Sequence, residues 1–342
     1  MQKKIDIILL SNNKVEPFQQ FRKKEDLSFL DLNKLFATQS LAEHGLGFLI
    51  NIYNVEDPND EWSWDLDTQI VFDTGGSNLT YLHNLDVRAY NFYNVAAIVL
   101  SHWHYDHTGG LYKILERINT ETKVISHSYD QYERFFIRSD EVSLKDLAGK
   151  TRQEILPLLS TSKIVNQEPI DQEKLEELEG KLIHTKEVYP IIKNNFVTIS
   201  ASGKIPRTHE VEDFQSYYLL KGDKLVEDEI PDDRCLIFEF PDNTVVLNGC
   251  CHSGLMNTLD YVDSISDEPI THIIGGFHMT SASEKRINET ITYLKDFQEY
   301  NGNLYLFPIH CTGHTFLDQL KKEDLPNIKA FDVSVGTKFT FQ

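Results

Sequence analysis

The stretch SHWHYDHTGG, residues 101 to 110, gathers three of the chain's 13 histidines and an aspartate into six positions. It follows directly on AAIVLS (96–101), whose unbroken apolar character reads as a buried strand, and it leads into GGLYKILERI, which starts a helix. The chain must therefore end an interior strand beside His102, His104, Asp106 and His107. In an extended run His102, His104 and Asp106 share one face, and a sharp turn then sets His107 beside Asp106. Imidazoles and a carboxylate suit zinc, and also iron or manganese, and four such groups can serve two adjacent ions. Without a ligand, four polar groups at one strand end would be a costly convergence.

Further apolar, β-branched runs occur at 6–10, 46–53, 69–73, 122–126, 196–200, 235–240, 244–248, 270–274 and 303–307, and read as strands. PDN (241–243) between two of them marks a hairpin. SEKRINETITYLKDFQEY (283–300) is the clearest helix, with Ile287, Ile291, Leu294 and Phe297 on one face and Ser283 as its N-cap. SGLMNTLDYVDSI (253–265) is another. Alternating strands and helices predict an α/β chain with sheets covered by helices. Residues 128–194 stand apart, with many charges and helical runs such as IDQEKLEELEGKL (170–182). They are expected to form a helical insert, a cap or a dimerisation element, in one domain spanning 1–342.

The opening MQKKIDIILLSNNK has an apolar run too short for a signal-peptide core, and no stretch has the length of a membrane span. Four cysteines (Cys235, Cys250, Cys251, Cys311) do not make a secreted disulfide framework and read as reduced thiols. The expected compartment is the cytoplasm. With 33 basic against 53 acidic residues, the formal charge of −20 repels polyanions and disfavours nucleic acid as a partner.

SHWHYDHTGG resembles the His-x-His-x-Asp-His signature of the metallo-β-lactamase fold, and VFDTGGS (71–77) matches a second motif of that superfamily upstream. The resemblance implies an αββα sandwich, two mixed β-sheets flanked by helices, with a dinuclear site at one edge. It also implies that Asp73 ends a strand and orients the metal loop through hydrogen bonds. In NGCCHSG (248–254) it points to His252 as a later ligand, with Cys250 as the alternative, and in PIHCTG (308–313) to His310 as the last metal histidine. His102, His104 and His252 would then hold one ion, and Asp106, His107 and His310 the other, two divalent metals with zinc first and iron or manganese also compatible. Asp106 is the group expected to orient the nucleophile.

His278 follows a strand and two glycines in GGFHM and is expected at the substrate pocket. His209, in GKIPRTHEVED, is a weaker ligand candidate; His314 reads as surface, and His83, His127, His184 and His272 as structural or surface histidines. Together AEHGLGFLI, FDTGGS, GKIPR, NGCCHSG, GGFHM and PIHCTG are similar to the dihydropteroate-synthase-like branch, named after 7,8-dihydropterin-6-methyl-4-(β-D-ribofuranosyl)-aminobenzene-5'-phosphate synthase. Trp103 stands where that branch usually has glycine, and Lys204 where it has glutamate, so Trp103 is expected to narrow or stack in the pocket.

Ser253 and Gly254 open one helix beside His252, and Thr312 and Gly313 another beside His310. Two helix N-termini can cradle a phosphate, although ordinary capping explains them equally. Lys204 and Arg207 could add anion contacts, and Arg207 equally a surface ion pair. The expectation is a metal-dependent hydrolase acting on a small, anionic, phosphorylated or pterin-like substrate. A synthase releasing diphosphate, an RNase Z-type nuclease and a non-catalytic sensor are the alternatives, and a homodimer is compatible with the insert. An iron oxidoreductase fits less well, since the diiron branch has glutamate where this chain has His104.

Overall fold

The computed structural model describes residues 2–16, 27–32, 39–57, 60, 63–139, 141–143, 146–209, 217–323 and 325–342. Met1 of the opening stretch, residues 140, 144 and 145 of the 128–194 segment, and the end of GKIPRTHEVED from 210 lie outside the described residues.

Alternating side chains build the first sheet, because along β1 (Gln2–Ser11) Ile5, Ile7 and Leu9 face one way and Ile8 and Leu10 the other. Its eight strands run in the order β2 (Leu30–Asp31), β19 (Lys338–Phe341), β1, β3 (Gly47–Val55), β4 (Trp64–Phe72), β5 (Val95–Val99), β6 (Thr122–Ser126) and β9 (Gly180–His184). Pairing is parallel from β4 to β9. The second sheet has seven, in the order β10 (Tyr189–Lys193), β11 (Thr198–Ala201), β14 (Cys235–Glu239), β15 (Thr244–Asn248), β16 (Ile270–Gly276), β17 (Leu304–Ile309) and β18 (Ile328–Ala330). Its last four strands are parallel. The hairpin expected at 241–243 joins β14 to β15, closed by Phe240 N–H donating to the Asn243 carbonyl at 2.9 Å.

The sheets meet face to face. Ile5, Ile7, Phe48, Ile50 and Phe72 pack with Ile199, Leu236, Phe238, Leu247 and Phe307 in one buried cluster. The outer face of the first sheet lies under α1 (Thr80–Val87), α3 (Leu111–Ile118) and α5 (Gln172–Glu177). The outer face of the second lies under α6 (Leu255–Ile265), α7 (Glu284–Asn301) and α8 (His314–Leu320). The result is the αββα sandwich that the motifs implied. The predicted cap of α7 is present, Ser283 accepting a hydrogen bond from Arg286 N–H, and Ile287, Ile291, Leu294 and Phe297 are buried.

Segment 128–194 differs from its helical expectation. It holds α4 (Arg152–Ser160) and α5, but also β7 (Arg134–Ile137), β8 (Ile164–Gln167), β9 and β10. β7 and β8 join β12 (Tyr217–Lys221) and β13 (Lys224–Glu227) in an antiparallel sheet ordered β13-β12-β7-β8. Phe135, Leu147, Ile155, Ile164, Tyr218 and Leu225 give it a small core of its own. The strands escape local reading because their partners come from far along the chain and each buries little apolar surface. The run 170–182 is helical only over α5, after which Gly180 begins β9. Among the described residues, no helix is long and apolar enough to cross a membrane.

Candidate metal centre

Every group of interest sits just past the C-terminal end of a parallel strand. β4 runs into Asp73, β5 into His102, β15 into Cys250 and His252, β16 into His278, and β17 into His310 and Cys311. At these ends Asp73, Cys251, His278 and His310 adopt left-handed φ values of 55, 62, 47 and 55°. For non-glycine residues that costs on the order of 1 kcal/mol or more each, and such strain gathers at functional sites. A close approach also explains Gly249, where a Cβ would lie 2.2 Å from Ser101 Oγ.

The 102–107 stretch is not extended throughout. His104 is (φ −115°, ψ 146°), but its carbonyl accepts from His107 N–H at 2.9 Å, which winds Tyr105–Thr108 into the single-turn helix α2. Asp106 therefore leaves the face of His102 and His104, and two donor groups result. His102, His104 and His252 form one, and Asp106, His107, Cys250 and His310 the other; within each, the ligand atoms lie within 4.8 Å of one another. Cys250 and His252 thus fall into different groups and do not compete for one position.

The surrounding hydrogen bonds set which imidazole nitrogen faces inward. Asp73 accepts from Ser101 N–H at 2.7 Å and Ser101 Oγ at 2.8 Å, and it lies 2.6 Å from His107 Nδ1. The hydroxyl proton of Ser101 is spent on Asp73, so Ser101 Oγ accepts from His102 Nδ1 at 2.8 Å. His310 Nδ1 donates to Asn13 Oδ1 at 2.9 Å. His102, His107 and His310 accordingly have Nδ1 engaged and direct Nε2 into the centre, as metal-binding histidines with an outer partner do.

Those inward atoms meet other ligand-type atoms or, among the described residues, nothing. His102 Nε2 faces His252 Nε2 at 3.2 Å, and His107 Nε2 faces Cys250 Sγ at 3.0 Å. Asp106 Oδ2 is 3.2 Å from His310 Nε2 and 3.7 Å from His107 Nε2, while the buried His104 Nε2 has no hydrogen-bond partner. A buried polar atom left unpaired costs about 1–3 kcal/mol, and a cation shared by converging lone pairs removes that cost. Burial, reinforced by neighbouring imidazoles and by Arg134 for His102 and His104 or Arg207 for His252, holds all three far below the usual histidine range, so they are neutral and able to coordinate. Burial also pulls on His107, but Asp73 and Asp106 outweigh it and raise its pKa to about 9. Burial opposes ionisation of Asp106, yet His107 and His310 keep it well below the usual carboxylate range. The donor set fits two divalent cations.

The groups open on a cavity of about 510 Å³ lined by His104, Asp106, Cys250, His252, His278 and His310, together with Tyr105, Phe136, Arg138, Val165 and Tyr217. His278 is therefore at the pocket. Four other expected substrate contacts are not among its lining residues. Trp103 points the opposite way from its histidine neighbours, into the core beneath the outer helices, and donates its indole N–H to the Glu168 carbonyl at 3.1 Å. The Ser253 N–H is taken by Asp233 Oδ2 at 2.7 Å, and Thr312 Oγ1 donates to the Ile309 carbonyl at 2.7 Å. Lys204 is exposed, and Arg207 donates to the Ile230 carbonyl at 3.2 Å. His209 lies 2.7 Å from Asp260, apart from the centre, and His314 is exposed.

Sequence reasoning missed several members. His44 Nε2 lies 3.3 Å from Asp106 Oδ2, and its ring stacks on His310 with centroids 5.0 Å apart. Asn13 bonds His310 through both its nitrogen and its oxygen. The only local signal for Asn13 is a polar SNN run at the end of a buried strand. Tyr217 stacks on His104 with centroids 4.9 Å apart, and nothing local marks it.

Comparison with known proteins agrees with this architecture. The sequence pattern of the metallo-beta-lactamase superfamily matches residues 65–191. An uncharacterised protein of Methanocaldococcus jannaschii is 30% identical over 286 residues, which cover 82% of this chain and 88% of that one. The 7,8-dihydropterin-6-methyl-4-(beta-D-ribofuranosyl)-aminobenzene-5'-phosphate synthase of the same organism is 26% identical over 321 residues, covering 92% and 96%. A solved metal-dependent hydrolase of the beta-lactamase superfamily superposes with a TM-score of 0.66 at 19% identity, covering 99% of this chain and 98% of its own.

Proposed function

Because the chain belongs to the metallo-β-lactamase superfamily, in the branch of the archaeal pterin synthase, we propose that it is a metal-dependent hydrolase with two zinc ions, acting on a small phosphorylated or pterin-like substrate. The observation that carries this reading is the pair of donor groups, His102, His104, His252 and Asp106, His107, His310, opening on one cavity. Divalent ions held there would polarise a phosphoryl or carbonyl oxygen and lower the pKa of water to about 7. Asp106, kept ionised by His107 and His310, is the acceptor that orients the attacking water. Asp73 holds His107 and, through Ser101, His102 in register.

Substrate recognition falls to the cavity's remaining lining. Phe136 and Tyr217 offer flat apolar faces suited to a planar ring, and Arg138 offers a charge-assisted contact for a phosphate. This gives segment 128–194 the role of a cap, since Phe136, Arg138 and Val165 come from it. The compartment this reading assigns is the cytoplasm, where thiols stay reduced.

A second reading is group transfer with release of diphosphate, favoured by the synthase relative that is alignable over 92% of the chain. The two are separated by one experiment: metal content of the purified protein, with phosphodiester, phosphomonoester, thioester, lactone, β-lactam and pterin diphosphate substrates. Two divalent ions per chain and a chelator-sensitive hydrolysis are expected. Full activity after the metals are stripped overturns both readings, and turnover of the pterin diphosphate only with an arylamine acceptor selects the second.

A further inference from the structure

Cys250 and Cys311 line the cavity with His278, and these two sulfurs and one imidazole stand outside the six donors of the proposed chemistry. The ligand atoms of Cys250, His278 and Cys311 all lie within 4.8 Å of one another. They come from the ends of three consecutive parallel strands, β15, β16 and β17, so the sheet itself sets their spacing. Zinc–sulfur bonds of about 2.3 Å at a tetrahedral angle place two sulfurs about 3.8 Å apart, so one ion reaches all three donors once they close by up to about an ångström.

Two details favour a bound ion over chance proximity. At Gly276 a Cβ would stand 2.6 Å from the Gly249 carbonyl oxygen, 2.7 Å from Cys311 Sγ and 3.2 Å from Cys250 Cα, so the glycine admits both the close backbone and the sulfur. His278 keeps a left-handed backbone, φ 47°, and its buried Nδ1 has no hydrogen-bond partner. Both features adjoin the Cys250, His278 and Cys311 cluster.

We propose that Cys250, His278 and Cys311 bind a thiophilic divalent cation, zinc by its donor set, as a third metal position beside the two already described. A set of two sulfurs and one nitrogen is softer than the histidine and carboxylate groups, and so selects differently among metals. Cys250, 3.0 Å from His107 Nε2, stands between this position and the Asp106 group and can bridge them. The third position faces the cavity that Arg138 also lines. It rests on the reading that the neighbouring groups hold metal, but it can fail separately.

The test is reloading of chelated protein with cobalt(II) under reducing conditions, following ions bound per chain and the thiolate-to-cobalt charge-transfer absorption. Cys311→Ser and His278→Gln are each expected to bind one ion fewer than the parent, with Cys311→Ser also losing about half of the thiolate absorption. Equal ion counts in the parent and both variants overturn the proposal. If His104→Ala loses an ion while Cys311→Ser does not, the third position falls and the dinuclear reading stands. If Cys311→Ser loses an ion while His104→Ala does not, the third position stands and the dinuclear reading falls.

Discussion

His102 Nε2 stands 3.2 Å from His252 Nε2, although 150 positions separate the two residues in the chain. Ser101 already occupies the other nitrogen of His102, so the facing atoms are two lone pairs unless a cation or a proton lies between them. His252→Ala should therefore lower the metal content by one ion per chain and reduce turnover on the order of 100-fold or more, beyond the 10–100-fold typical of an outer partner. Inductively coupled plasma analysis beside a rate measurement checks it. Parent-like metal content in this variant would remove His252 from the centre.

Asp73 governs orientation and not coordination. Its carboxylate takes Ser101 N–H, Ser101 Oγ and His107 Nδ1 at 2.7, 2.8 and 2.6 Å, all fully buried. Asp73→Asn substitutes a donor for one of these acceptor oxygens and removes the charge opposite His107. Metal affinity should weaken by about 10–100-fold while the fold is kept. Competition against a chromophoric chelator reads this directly, and an unchanged affinity would leave Asp73 a merely structural role.

Arg134 on β7 ties the small sheet to the metal loop. It is buried, lies 3.1 Å from Asp228 and 2.7 Å from Asp232, and donates to the Trp103 carbonyl at 3.1 Å, while Asp232 accepts Trp103 N–H at 2.8 Å. Arg134→Met would strand two buried carboxylates, at a cost of about 3–5 kcal/mol. Denaturant midpoints at a fixed metal concentration test the figure, and a midpoint equal to the parent's would show that the network is slack.

What could be foreseen followed how local its signal was. AAIVLS, a buried strand, runs directly into HWHYDH, so the strand and the donor groups at its end are contiguous and their closeness is legible. The same holds for TVVLN before His252 and LYLFPI before His310. Trp103 was misplaced because a residue between two inward histidines on extended backbone points away from them, a geometric consequence that its aromatic character obscured. Arg138, Phe136 and Tyr217 reach the cavity only because β7 pairs with β12, some 80 positions later, and no periodicity within either strand announces that partner.

His272 tests the acid side away from the centre. It stacks on Tyr305 with ring centroids 4.9 Å apart, meets the edge of Phe29 at 4.8 Å, and burial lowers its pKa to about 4. The unfolded chain takes up this proton near pH 6.5 and the folded chain only near 4, so the contribution is complete above about pH 6.5 and is lost as pH falls towards 4. At about 1.4 kcal/mol per tenfold change its ceiling is roughly 3 kcal/mol. His272→Phe should flatten the stability profile of metal-free protein between those limits, and a parallel profile would show that His272 stays neutral for no cost.

The cap wall is open to a kinetic test through Arg138. Its charge acts on the Tyr105 hydroxyl, and both side chains line the cavity. A contact with a charged partner contributes about 1.5–3 kcal/mol, which at about 1.4 kcal/mol per tenfold corresponds to roughly a 10–100-fold change in binding. Because Arg138 lies on the wall and not among the metal donors, that energy should be present in bound substrate and transition state alike, raising KM and leaving kcat nearly unchanged. Arg138→Gln is therefore expected to raise KM by about tenfold or more for phosphorylated substrates, with a much smaller effect on uncharged esters or lactones. An equal rise for charged and uncharged substrates would mean that Arg138 shapes the wall through Tyr105 and does not read the anion.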